Sequence, residues 1–141
     1  MIQEFFSNAP WLQIAVAAIA YFALGALWYI QPTFGKAWVA GHKIVMDPEA
    51  AKKKMPMLMT STFILGFLLA IVCAMYLGVT QTPEMDYMQA IKMGLFVSAF
   101  VVLPMATNYM YLSKSFKVFL IDAGYHTVGI TLMCIILNVW Q

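Results

Sequence analysis

Asn108-Tyr-Met-Tyr-Leu-Ser-Lys-Ser-Phe-Lys-Val-Phe-Leu-Ile-Asp-Ala-Gly-Tyr-His126 joins two long apolar runs through a short polar turn. It reads as the end of one helix, a turn bearing Lys114 and Lys117, and the start of another. The run before it covers about 89–112 and the run after it about 118–140. Each has the ~20 residues that cross a hydrocarbon core of ~30 Å. Lipid cannot satisfy exposed backbone groups, so such runs are helices. The short alternating segments of a transmembrane barrel are absent. Further out, about 10–30 and 57–79 have the same character. The chain of 141 residues is 63% hydrophobic and 10% charged, against roughly 25% charged in soluble domains. The expected fold is all-α, a bundle of four transmembrane helices forming one membrane domain over 1–141.

The lysines set the threading. Lys36, Lys43, Lys52, Lys53 and Lys54 lie between the first and second runs, and Lys114 and Lys117 between the third and fourth. Only Lys92 stands on the other side. The positive-inside rule puts the lysine-rich side in the cytoplasm and both termini outside. No lysine precedes the first run, so it is expected to be a retained helix, not a cleaved signal peptide. The net charge of +2 is too small to imply nucleic acid. The chain has no arginine, which argues against a bidentate phosphate or carboxylate clamp.

Asp47-Pro48-Glu49 has the pattern of an N-cap, a first-turn proline and a first-turn acid. It predicts a short cytoplasmic amphipathic helix over 47–54 between the first two spans, with Pro56 starting the second span. Lys52, Lys53 and Lys54 there can meet anionic lipid headgroups. Thr82-Pro83-Glu84 repeats the pattern before the third span. Trp11, Trp28, Tyr29, Trp38, Tyr87 and Trp140 form interfacial belts. Gly66, Ala70, Ala74 and Gly78 recur every four residues and predict a ridge for close helix packing. The first run, rich in alanine, is its natural neighbour within the chain. A second copy or another membrane protein is the alternative. Pro104 is expected to kink the third span. Tyr29…Phe34-Gly35-Lys36-Ala37-Trp38 and Tyr111…Ser115-Phe116-Lys117-Val118-Phe119 share an aromatic-and-lysine pattern, either as an internal repeat or as two ordinary membrane boundaries.

Asp122 and His126 are four apart and share a helix face. Asn108 and Tyr111 lie at similar depth, as do Trp28, Tyr29 and the Thr60-Ser61-Thr62 run. One reading is a polar site facing the cytoplasm, with His126 titrating and Asp122 orienting it, since ionisable groups within spans are functional candidates. The other makes Asp122 an N-cap and His126 a packing residue, with Asn108 as interhelical glue. Twelve methionines with Cys73 and Cys134 could hold Cu(I), but methionine is also ordinary core filler. A Cys73–Cys134 disulfide is open. No nucleophile elbow, phosphate loop or paired histidine motif occurs, so neither a cofactor nor an enzyme is expected.

Gly25-Ala26-Leu27-Trp28-Tyr29, Pro32 and Phe34-Gly35-Lys36-Ala37-Trp38, with Asn108-Tyr109 and Asp122-Ala123-Gly124-Tyr125-His126 through Trp140, resemble a bacterial family of small four-helix membrane proteins. That family is known as domain of unknown function 1761. The resemblance covers essentially the whole chain. It implies a fold and an address in the bacterial cytoplasmic membrane, and it carries no activity over to any residue.

The expected function is an accessory, structural or complex-forming membrane protein without catalytic activity. The alternative is an oligomeric transporter or channel for a small solute or ion, using the polar layer in the cytoplasmic third. An intramembrane enzyme is a third possibility.

Overall fold

The computed structural model describes residues 2–45, 47–80 and 86–139. Six α-helices follow one another: α1 (Ile2–Asn8), α2 (Trp11–Trp28), α3 (Lys36–His42), α4 (Pro48–Thr80), α5 (Tyr87–Tyr111) and α6 (Phe116–Val139). A wide turn over Gln31–Gly35 joins α2 to α3. Four of these helices, α2, α4, α5 and α6, are long and apolar enough to cross a membrane. No strand occurs among the described residues.

α6 is the hub. It packs against α2, α3, α4 and α5, and α2 also packs on α4. Its buried side runs from Val118 through Ile121, Asp122 and Tyr125 to Ile130, Met133, Cys134 and Leu137. Ile14, Ala17, Ala18 and Tyr21 of α2, with Ala70, Cys73, Ala74 and Leu77 of α4, close the core around it. Many other apolar side chains face outward, among them Leu65, Leu68 and Val72 of α4 and Phe100 and Leu103 of α5. In lipid those exposed faces cost nothing.

Small residues let the helices meet closely. A Cβ at Gly94 of α5 would lie 2.5 Å from the Thr131 Cα of α6, so these two backbones touch. A Cβ at Gly129 of α6 would meet the Tyr21 ring at 2.5 Å. The ridge on α4 is used over most of its length. A Cβ at Gly66 would lie 3.3 Å from the Tyr21 ring, and Ala70 and Ala74 are buried, all within the chain. Gly78 faces open space, on the side of α4 turned away from the core that buries its neighbour Leu77.

The segment between the first two spans differs from the sequence expectation. Asp47 does cap a helix, accepting from the amides of Glu49 and Ala50 through Oδ1. That helix does not stop at Pro56 but continues as α4 through 33 residues. At 1.5 Å per residue it is about 50 Å long, well beyond a ~30 Å hydrocarbon core. Pro56 lies exposed at the lysine-rich end, where the carbonyl it frees can be met by water or headgroups. The short helix between the spans is α3, not 47–54. It docks on α6 through Gly41, where any Cβ would strike Val118. Lys43 ends it in the left-handed region, at φ 55°. On the opposite side Asp86 caps α5, accepting from the Gln89 amide at 2.8 Å. The Thr82-Pro83-Glu84 cap and Trp140 lie outside the described residues. α5 runs unbroken through Pro104.

Candidate functional site

At the lysine-rich end, three elements converge on the carboxylate of Asp122 in α6. The residue sits in the second turn of α6, past the helix start, where Ser115 accepts from the Lys117 amide through Oγ. It is therefore not the N-cap. It is one of two buried polar residues among those described, only 8% exposed. Tyr29, at the end of α2, donates to Asp122 Oδ1 at 2.6 Å. Trp38 Nε1, from α3, donates to the same oxygen at 2.8 Å. Tyr109, near the end of α5, donates its hydroxyl to Oδ2. His42 Nε2, from the last turn of α3, stands 3.5 Å from Oδ2 and 3.4 Å from the Tyr109 hydroxyl.

The carboxylate thus accepts three hydrogen bonds and has an imidazole beside it. An ionised carboxylate has about four acceptor positions, and here three hydroxyl or indole donors and one imidazole face them. Hydrogen bonds to an ionised group are roughly twice as strong as neutral ones. The surroundings are aromatic. Tyr29 packs edge-on to Trp38 at 5.4 Å, Trp38 lies 4.7 Å from the His42 ring, and Tyr29 meets Tyr125 at 5.3 Å between ring centroids.

Each donor arrives for a local reason. Thr33 turns its hydroxyl back on the exposed carbonyls of Leu27, Trp28 and Ile30. That closes the end of α2 and sends the chain through the wide turn into α3. Trp38 and His42 are four apart on α3 and so project from one face. Tyr109 follows from the buried stripe Ala90, Gly94 and Ser98. It lies about three turns beyond Ser98 on the same side of α5.

The two strings that carried the resemblance interlock here. Trp28 Nε1 donates to the Ile121 carbonyl at 3.0 Å. A Cβ on Gly124 would meet the Trp28 ring at 3.2 Å, and one on Gly25 the Tyr125 hydroxyl at 2.9 Å. Tyr125 also donates to the Tyr21 carbonyl at 3.3 Å.

A family model described as a protein of unknown function, DUF1761, matches residues 12–138. That span takes in the whole Asp122 cluster and nearly all of the four long helices. The chain belongs to the DUF1761 family. No curated protein and no solved structure matches it.

Within this DUF1761 chain, the residues expected to form a site divide. Tyr29 and Asp122 are bonded to each other, and Trp28 packs directly behind them. His126 points elsewhere: its Nδ1 lies 2.8 Å from the Tyr21 hydroxyl, deeper in the bundle. Asp122 is held by other elements, and its orienting partners are Tyr29, Trp38 and Tyr109 rather than His126. Asn108 is exposed, and its carbonyl accepts the closing amide of α5 from Leu112. Tyr111 is exposed too, at the helix end. Trp38, His42 and Tyr109 are the members that the sequence did not single out as a site. The i, i+4 pair of Trp38 and His42 was a readable signal. So was the stripe leading to Tyr109, a step of 100° around the helix from Asn108.

No group of three or more His, Cys, Asp or Glu side chains that could hold a metal occurs among the described residues. Cys73 and Cys134 are both buried and free, and their thiols meet across the α4–α6 contact.

Proposed function

We propose that this DUF1761 protein is a non-catalytic integral membrane protein of the accessory or scaffolding kind, and that the Asp122 cluster is the lock holding its bundle together. The observation that carries this reading is the hydrogen-bonded carboxylate. Asp122 accepts hydrogen bonds from Tyr29, Trp38 and Tyr109 of its own chain, and His42 stands 3.5 Å from Oδ2. A general acid or base, or a carboxylate that loads and releases a solute, needs an open position facing its substrate. No buried side-chain nitrogen or oxygen among the described residues lacks a partner. Asp122 and its donors at the lysine-rich end join α2, α3, α5 and α6.

The lysine-rich end is the cytoplasmic end in this reading, with both termini outside, since seven of the eight lysines gather there. Assembly with a further copy or another membrane protein uses outward faces of α4 and α5, which stay apolar and uncovered within the chain.

The test is reconstitution of the purified protein in vesicles, with ion and proton flux measured for wild type and Asp122→Asn. The reading expects both to match empty vesicles, while Asp122→Asn lowers stability. Flux that Asp122→Asn abolishes without altering stability would replace the lock with a transport site.

A further inference from the structure

A groove of about 580 Å³ runs between α2 and α4 at the lysine-rich end of the bundle. Ala26, Tyr29 and Ile30 form one wall, and Met55, Leu58 and Thr62 the other. It opens outward, for Ile30, Met55 and Leu58 are all exposed. Its floor is Tyr125 and Gly25, and Trp38 stands at its end. The lining is overwhelmingly apolar. Thr62 does not break this, since its hydroxyl is turned back on the Leu58 carbonyl at 2.7 Å. Along α4 the groove spans 55–62, two helical turns, or about 10 Å. That is a slot for a stretch of hydrocarbon chain.

The register of α4 decides what the head of that chain is. Positions 55, 58, 59 and 62 line the groove, spaced at three and four as one helix face. One turn toward the helix start the same face carries Lys52, three residues before Met55 and seven before Met59. Lys54, four residues before Leu58, flanks the other edge of that face, and Lys53 is turned about 100° from Lys52 and away from the groove. The acids of this end are otherwise engaged or displaced. Asp47 caps α4, Asp122 is bonded to its three donors, and Glu49 lies a further turn from the groove. An apolar slot under an ammonium at membrane-surface depth is complementary to an acyl chain beneath a phosphate.

We propose that the α2–α4 groove is a binding site for one anionic glycerophospholipid, its acyl chain lying in the groove and its phosphate meeting Lys52. The site does not depend on the lock reading of Asp122. It uses α4 and the rings of Tyr29 and Trp38, whereas the lock uses the Tyr29 hydroxyl and the Trp38 indole N–H.

The test is lipid retention on the purified protein through exchange into a mild detergent, with phosphatidylglycerol and phosphatidylcholine of identical chains offered in equal amounts. Wild type is expected to keep phosphatidylglycerol at one molecule per chain and to lose phosphatidylcholine. Lys52→Ala is expected to weaken retention about five-fold, the scale of one basic residue at a lipid surface, and Lys53→Ala to weaken it far less. Thr62→Trp fills the groove from α4 and Ala26→Phe from α2, and each is expected to expel the lipid while the melting transition persists. Equal retention of the two lipids would overturn the proposal. So would undiminished retention in both groove-filling variants, which would mean headgroup attraction only. A dimer that both groove-filling variants convert to monomer would assign the groove to a second copy instead.

Discussion

The hydroxyl of Tyr29 donates to Asp122 Oδ1 at 2.6 Å, joining the end of the first span to the second turn of the last. The two residues stand at opposite ends of the chain, so this bond closes the bundle as a loop-closing contact does. Trp38 and Tyr109 reach the same carboxylate from α3 and α5. Removing any donor loosens one element, whereas removing the acceptor loosens all of them.

Tyr29→Phe and Tyr109→Phe are each expected to destabilise the folded protein by about 0.6–3 kcal/mol. The lower bound is the average for hydrogen bonds within membranes, and the upper is the scale for bonds to charged groups. In the Asp122→Ala background either change is expected to cost much less, because the shared acceptor has gone. Denaturant or thermal unfolding of the three single and two double variants measures that coupling. Full additivity would mean that the hydroxyls do not act through Asp122.

Gly94→Val is expected to prevent close approach of α5 and α6, since even a Cβ would lie 2.5 Å from the Thr131 Cα. Gly78→Val, on the α4 ridge, is expected to be nearly silent in the isolated chain because nothing lies within 4 Å of it. Unfolding midpoints in lipid nanodiscs compare the two. A loss of assembly with Gly78→Val, without loss of stability, would mark that end of the ridge as a contact to another chain.

Cys73 and Cys134 are fully buried, so a membrane-permeant maleimide is expected to label neither in the folded protein and both after unfolding. Cys73→Ala removes a buried sulfur from the α4–α6 contact and is expected to cost about 1–2 kcal/mol as a small cavity. Rapid labelling of the native protein would show that α4 separates readily from α6.

In a cysteine-free background, a cysteine at Ser115 in the α5–α6 turn is expected to react with an impermeant reagent only from the cytoplasmic side, and one at Ser7 only from outside. The reverse pattern would invert the threading drawn from the lysines.

The spans were legible because crossing lipid imposes length and apolarity directly on the sequence. The ridge at Gly66, Ala70 and Ala74 was legible for a similar reason, as close packing selects small residues at helical spacing. Asp122 stood out as a carboxylate in an apolar run, and Tyr29 and Trp28 by depth. What could not be read was which way each side chain turned. Asp122 and His126 share a face, yet one bonds outward to Tyr29 and Trp38 and the other inward to Tyr21. That division depends on where α2 and α3 lie, not on helical spacing. The continuity of α4 through Pro56 was also hidden. Proline signals a break only where its freed carbonyl cannot be met, and that depends on the helix reaching past the hydrocarbon. α3 is a single pair of turns, too short for its periodicity to separate a helix from a loop.

The most direct test of the central claim is the unfolding free energy of Asp122→Asn against wild type in lipid nanodiscs. Asparagine keeps the shape but turns an NH₂ toward donors that need an acceptor. Buried donors left unpaired cost about 1–3 kcal/mol each, so a loss of at least about 2 kcal/mol is expected. Unchanged stability would contradict the lock and leave Asp122 to be explained by a ligand.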